Sequence, residues 1–464
     1  MTLREAALAF QDRQLSSFEL TKSTIERIDH MNPALNAFLT LFPQTSMDRA
    51  ALADRERKEN VDRGPLHGIP VAVKDAFDIR GVHTTGGSKV IDYLASESAA
   101  VVDSLEAAGA VVMGKLNMHE LSYGITSNNP HFGAVRNPWD MERIPGGSSG
   151  GSAAAVGADL VFAALGTDTG GSVRIPASYC GVVGFKPTFG RVSRFGVLPL
   201  APSLDHVGVL ARNVRDTAAV FKAIVSYDPR DPSSSRHHVV DYTPQDGISL
   251  QGLRLGFPEK FFFERLDPDV ESAVRGAIAR AGALGADVKP VQVPNIEAIN
   301  AVGYVILLAE AAATLERYVG DRSRFGVDVL SLLDQGRCLP AVDYVNAQRL
   351  RRKLQIEFAA VWKEVDCLMM PTTPNTAPRI GEELIRFRDG DQDVRALATR
   401  LVRAFNVLGL PALSMPCGLS SRGLPIGLQL VAAPFEEATL LQLGVALEDG
   451  GIGIPPILQP FPTR

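Results

Sequence analysis

Short apolar runs that alternate with helix-like segments constrain this chain more than any other feature. "GIPVAVKD" at 68–75, "AVVMGKL" at 110–116 and "LVFAALGTD" at 160–168 each read as a buried strand. Between them lie a helical stretch near 97–109 and an alanine-rich run at 152–158. Strands that are apolar on both faces need cover on both faces, and helices between the strands supply it. The alternation predicts an α/β fold whose sheet is covered by helices on both faces, and leaves open whether the two halves of the chain form one sheet or two.

Ser16 and Glu19 have the S-x-x-E spacing of a capping box, which predicts a helix over 16–31. A charged helix follows near 46–60. The α/β pattern resumes at "LRLGFP" (253–258), with helices predicted over 267–286 and 341–363. Between 228 and 247, "DPRDPSSSRHHVVDYTPQDG" is polar and non-periodic and is expected to be a surface loop.

Bulk properties exclude several classes. A net charge of −5 lacks the basic footprint that phosphate backbones require, so no nucleic acid is expected as a partner. The four cysteines are widely spaced with no CxxC, as expected for buried thiols in a reducing, cytoplasmic setting. Arg4, Glu5 and Asp12 leave the N-terminus without a signal-peptide core. Apolar stretches such as "AVVMGKL" and "LQLVAAPF" break well before the length of a spanning helix, so no membrane is expected.

Two glycine-serine loops carry the chemistry, "IPGGSSGGSAAAVGA" at 144–158 and "GTDTGGSVRIP" at 166–176. Neither supplies the Gly-Lys of a phosphate-binding loop or the GxGxxG of a dinucleotide site. "GSSGG" at 147–151 matches G-x-S-x-G with Ser149 central, but that mechanism needs a histidine late in the chain. All eight histidines precede residue 239. A serine can instead be activated by a lysine kept neutral by burial, and Lys74 ends the apolar run "IPVAV". Glycines after a buried strand let successive N–H groups turn toward one point, as an oxyanion hole requires, with Ser172 among them. On these residues alone, a lysine that closes a strand and a serine that caps a glycine turn are the commoner explanations.

The combination resembles the amidase signature family of serine hydrolases. The resemblance rests on "GIPVAVKD", "VVMGKLNM" (111–118), "FGAVRNPWD" (132–140), "PGGSSGGSAAAV" (145–156), "LGTDTGGSVRIPASYCGVVGFKPT" (165–188) and "GRVSRFGVLPLAPSLDHVG" (190–208), in order and spacing. It continues more weakly through "MMPTTPNTAP", "GLPALSMPCG" and "GLPIGLQLV" and so covers most of the chain. It implies the amidase signature fold, a single large α/β domain over 1–464 with a mixed β-sheet covered by helices on both faces, with Ser172 as nucleophile, Ser148 as a bridging serine on a cis peptide, and Lys74 as base. The oxyanion would rest on N–H groups of Thr169, Gly170 and Gly171, with Ser172 as a further donor. Ser149, Asp168 and Arg174 would tie the loops together. Cys180 is expected to be a core cysteine, and no cofactor or metal is expected.

Among relatives so implied, the expected activity is hydrolysis of a small acyl, aryl or urea-like amide by a free-standing amidase. The alternative is the glutaminase component of a tRNA-dependent amidotransferase. Pro176 and its neighbour Ile175 stand where such components usually carry a glutamine. "RFGVDVLSLLDQGRCLPAVDYV" (324–345) does not look like their stretch that gives an arginine to the glutamine carboxylate, and "DQDVRALATRLVRAFNVLGLPA" (391–412) lacks their acidic position. A small-molecule amide is then the expected partner, with a homodimer left open. Since Lys74, Ser148 and Ser172 are all present, a catalytically dead scaffold is disfavoured. Tyr123, Ile125 and Tyr304 are the expected pocket walls, drawn from 121–133, 297–355 and 373–392.

Overall fold

Eleven strands form one sheet in the computed structural model, which describes residues 1–387 and 390–454. They are β1 (Phe38–Leu41), β2 (Pro70–Lys74), β3 (Val111–Leu116), β4 (Ala163–Asp168), β5 (Val183–Lys186), β6 (His206–Ala211), β7 (Arg254–Phe257), β8 (Asp287–Pro290), β9 (Cys367–Pro371), β10 (Ala412–Leu419) and β11 (Pro425–Ala432). Their order across the sheet is β1-β3-β2-β4-β6-β5-β10-β11-β9-β7-β8. β2 runs parallel to β3 and β4, and β7 parallel to β8 and β9. The remaining pairings are antiparallel, so the sheet is mixed.

Every residue of β2, β3 and β4 is buried, as strands covered on both faces must be. Alternation assigns the side chains. Val71, Val73, Leu165 and Val209 pack into the core on one face, whereas Ala72, Ala164 and Leu210 pack into the core on the other. Helix α1 (Gly150–Gly157) lies on the second face and contributes Ala153, Ala154, Ala155 and Val156. These small side chains let the helix sit close to the sheet, with its first turn beside the end of β2. Four further helices position the site: α2 (Arg174–Cys180), α3 (Ile296–Leu315), α4 (Val394–Thr399) and α5 (Arg403–Val407).

The fold is a large single-domain α/β structure with fifteen α-helices among the described residues. The predicted capping box is present: Ser16 Oγ accepts from Glu19 N–H, and the helix runs Ser17–Leu35. Residues 228–247 carry no helix or strand. They are nevertheless fastened, because Arg191 donates to the carbonyls of His237 and His238 and to the Tyr242 hydroxyl.

One expectation about apolar length needs correcting. α3, continued by a 3-10 turn to Tyr318, is a 23-residue helix long and apolar enough by composition to cross a membrane. Glu297 and Glu310 interrupt its uncharged run, which hid it from a search for unbroken stretches. Ile299, Val302 and Ile306 lie in the main core, and Leu308, Ala311 and Leu315 pack with Tyr123 and Val329.

Candidate catalytic site

Lys74 closes β2 on the face covered by α1 and is completely buried. Its Nζ donates to Ser148 Oγ at 2.7 Å and to Thr167 Oγ1 at 2.7 Å. No carboxylate lies within ion-pair distance of it among the described residues. Burial lowers its pKa to about 7, and the more distant charges of Asp168 and Asp205 only partly oppose that shift. An ammonium held by two hydroxyls has lost most of its water with no counter-charge in return, so the neutral amine competes near neutral pH.

The first glycine-serine loop brings Ser148 to the lysine. The Gly147–Ser148 peptide is cis. The Ser148 carbonyl accepts from His119 N–H at 3.0 Å and from Ser127 Oγ at 3.4 Å. Gly147 has no room for a side chain, since a Cβ would lie 2.8 Å from Ser127 Oγ and 3.0 Å from the Ile125 carbonyl carbon. Ser149 acts as a clasp. Its Oγ donates to the Thr167 carbonyl and accepts from the Thr167 N–H, both at 3.2 Å, and its N–H donates to the Ser172 carbonyl at 3.2 Å. Lys74, Ser148 and the Ser172 turn are thus brought together.

The second loop is set by an ion pair. Asp168 ends β4, and its carboxylate accepts from Gly171 N–H at 2.8 Å, Val173 N–H at 3.1 Å, and Arg174 Nε and Nη2 at 3.0 and 2.9 Å. Arg174 also donates to the Val402 carbonyl, Gln429 Oε1 and Asn406 Oδ1. Both partners are fully buried, and this complete set of bonds offsets the cost of removing two charges from water. Burial would raise Asp168, but the charge and hydrogen bonds of Arg174 hold it below the usual carboxylate range.

This arrangement engages one of the expected oxyanion donors. Gly171, at φ +120°, turns its N–H back onto Asp168. Thr169, Gly170 and Ser172 are the residues of the turn whose N–H groups have no intramolecular acceptor among the described residues.

Of the expected pocket residues, Tyr123 is buried and Tyr304 half-buried, and both lie near Arg403 on α5. Ile125 packs with Ile144, Ile175 and Val402 beneath the Gly147 loop. Residues 388 and 389, within the expected 373–392 segment, lie outside the described residues, as does the end of the chain beyond 454. Cys180 is buried, and burial pushes its thiol well above the ordinary value, which removes it as a nucleophile. Sequence reasoning missed Thr167, Ser127 and Arg403. Thr167 alone carried a signal, being next to Asp168 in "GTDTGG".

The chain's family and relatives define its class, that of enzymes acting on carbon–nitrogen amide bonds. The chain belongs to the Amidase family, whose model matches residues 19–441. It is 40% identical to one component of a Glutamyl-tRNA(Gln) amidotransferase, the A chain of the enzyme from Geobacter sp. (strain M21), over 97% of this chain and 96% of that one. The solved structure of the corresponding component from Thermotoga maritima superposes with a TM-score of 0.83 at 34% identity, covering 99% of this chain and 98% of that one. A second solved structure has a TM-score of 0.94 at 35% identity, covering 98% and 99%. It is described as a vestigial protein complex that reveals the evolutionary origins of an s-triazine catabolic enzyme.

These relatives overturn the expectation of a small-molecule partner with no nucleic acid. The curated relatives at 40% identity are named as subunits of a glutamyl-tRNA amidotransferase, and such a name carries both an assembly of proteins and a tRNA. A net charge of −5 describes the summed field only; it does not exclude a chain whose partners grip the phosphate backbone.

Proposed function

We propose that the chain is the amide-hydrolysing component of a tRNA-dependent amidotransferase, working in the cytoplasm as a glutaminase through Ser172, Ser148 and Lys74. The observation that carries the chemistry is Lys74 Nζ, fully buried, without a carboxylate partner, and 2.7 Å from Ser148 Oγ. Neutral Lys74 accepts the Ser148 proton, Ser148 accepts that of Ser172, and Ser172 Oγ bonds to the amide carbon. The resulting oxyanion is held by the unengaged N–H groups of Thr169, Gly170 and Ser172, each donor being worth about 3–4 kcal/mol in comparable sites. The proton returns along the chain to the amide nitrogen, the C–N bond breaks and ammonia leaves. Water, deprotonated by the same relay, then cleaves the acyl-serine ester and restores Ser172.

A second reading is a catabolic amide hydrolase acting within a protein complex. It is supported by the 0.94 TM-score to the s-triazine-related structure, against 0.83 for the amidotransferase component.

Ammonia release from glutamine and from biuret-type amides separates the two, measured with the chain alone and with the amidotransferase's other proteins and glutamyl-tRNA added. The expected result is release from glutamine, raised by the partners and lost in Ser172→Ala. Release from biuret-type amides but never from glutamine would replace the first reading by the second. Turnover by Ser172→Ala would end the nucleophile assignment in both.

A further inference from the structure

Arg403 is a cation without a counter-charge on the wall of the reaction site. It begins α5, its stem lies against Gly303 of α3, and its guanidinium carbon is 5.4 Å from the centre of the Tyr304 ring. Nη2 donates to Thr399 Oγ1 at 2.7 Å. Nε is buried with no acceptor, and among the described residues no carboxylate reaches the guanidinium. Arg174, the other arginine at the site, has every side of its guanidinium engaged, including a bidentate carboxylate.

Two further observations place this unmet demand beside the substrate. The Tyr123 hydroxyl is also buried without a partner, and the charges of Arg395 and Arg403 both act on it. At Gly170, two residues before Ser172, a side chain would meet a single atom within 4 Å, Arg403 Nε at 3.9 Å. Arg403 Nε therefore faces the nucleophile's turn at van der Waals distance, and its acceptor position is unmet. Nearby Asp328 does not fill it, being bonded to His119 Nε2 at 2.9 Å and Arg395 Nη2 at 3.2 Å. Burial brings Arg403 down to about 10, with Tyr304 and Tyr123 opposing, which leaves it charged at neutral pH.

We infer that Arg403, with the Tyr123 hydroxyl, receives a carboxylate on the acyl part of the substrate, so that the enzyme selects anionic amides. A carboxylate would satisfy both orphaned donors at once and supply the missing counter-charge. Glutamine and its desamino analogue glutaramate both carry such a group. The inference rests on Ser172 marking the reaction centre.

The test is the ratio of kcat/KM for glutaramate over neutral butyramide, measured in one preparation of each variant. Wild type should favour glutaramate. Arg403→Met should collapse that ratio by about tenfold or more, Arg403→Lys should recover part of it, and Tyr123→Phe should lower it by a smaller factor. Binding of glutaramate to Ser172→Ala, measured by calorimetry, should weaken by about tenfold or more when Arg403→Met is added. An unchanged ratio in Arg403→Met, or no measurable binding of glutaramate to Ser172→Ala, would overturn the inference. Failure of the catalytic reading gives a different result: Ser172→Ala would retain turnover, while the ratio would still report on Arg403.

Discussion

Two buried lysines sit side by side on neighbouring parallel strands and live in opposite electrostatic conditions. Lys74 ends β2, and Lys115 lies opposite Val73 on β3. Both are fully buried. Lys115 has Asp75 Oδ1 at 2.7 Å and donates to the His83 carbonyl and to Thr84 Oγ1 at 2.9 and 2.8 Å. Lys74 has two hydroxyls. Burial lowers both, but at Lys115 the charge and hydrogen bond of Asp75 pull back toward the ammonium. Asp75 follows Lys74 directly in the chain, yet its carboxylate goes to the lysine of the next strand, because successive side chains point to opposite faces. One Lys-Asp pair of residues thus provides an uncompensated amine on one side and a counter-charge on the other. The type of partner, rather than the depth of burial, sets how firmly each lysine is held as an ammonium.

The sharpest way to break that comparison is to remove each amine. Lys74→Met should lower kcat/KM for amide hydrolysis by about 10³–10⁴-fold, with little loss of thermal stability since no buried charge is left behind. Activity near wild type would return Lys74 to the role of a strand terminus. Lys115→Met should act the other way round, leaving Asp75 buried and unpaired at a cost of about 3–5 kcal/mol in chemical denaturation. If Lys115→Met melts like wild type, the ion pair does not hold this part of the sheet.

The pH profile provides a third contrast. Below about 7 Lys74 keeps its proton and cannot accept another, so kcat/KM should fall by about tenfold per pH unit on the acid side and level off above. A flat profile from pH 5.5 to 8.5 would contradict a neutral-amine base. The smallest effect is expected for Thr167→Val, which removes an acceptor that favours the charged amine. The acid limb should then shift to lower pH by less than about one unit, and a shift to higher pH would contradict the hydrogen-bond assignment.

Much of the site's frame was legible before the structure, and the reason is local. β2, β3 and β4 fall inside the runs 68–75, 110–116 and 160–168 because a doubly covered strand writes its burial into consecutive residues. Ser148, Ser149 and Ser172 sit in glycine loops whose composition marks them directly. What escaped depends on partners distant in sequence. Arg403 lies in "RLVRAFN", where arginines at helical spacing read as a solvated face, and only Gly303, a hundred residues earlier, makes room for its stem. The hydrogen bonds of the Ser172 turn were hidden for a related reason: composition reveals glycines but not which N–H a neighbouring carboxylate has already taken. Nor does periodicity reveal that the β10–β11 hairpin carries the sheet from one half of the chain into the other.

The Arg174 guanidinium joins Asp168 to Val402, Asn406 and Gln429, residues that leave the ribosome more than two hundred positions later. Asp168 supplies the counter-charge locally, but until the chain from Val402 to Gln429 has been made the Arg174 guanidinium lacks its three neutral acceptors. On the catalytic proposal, the nucleophile is synthesised in the first half of the chain but its turn is completed only near the end of translation. A truncation before residue 402 would spare every residue named in that proposal and still remove three acceptors of the arginine that holds the turn.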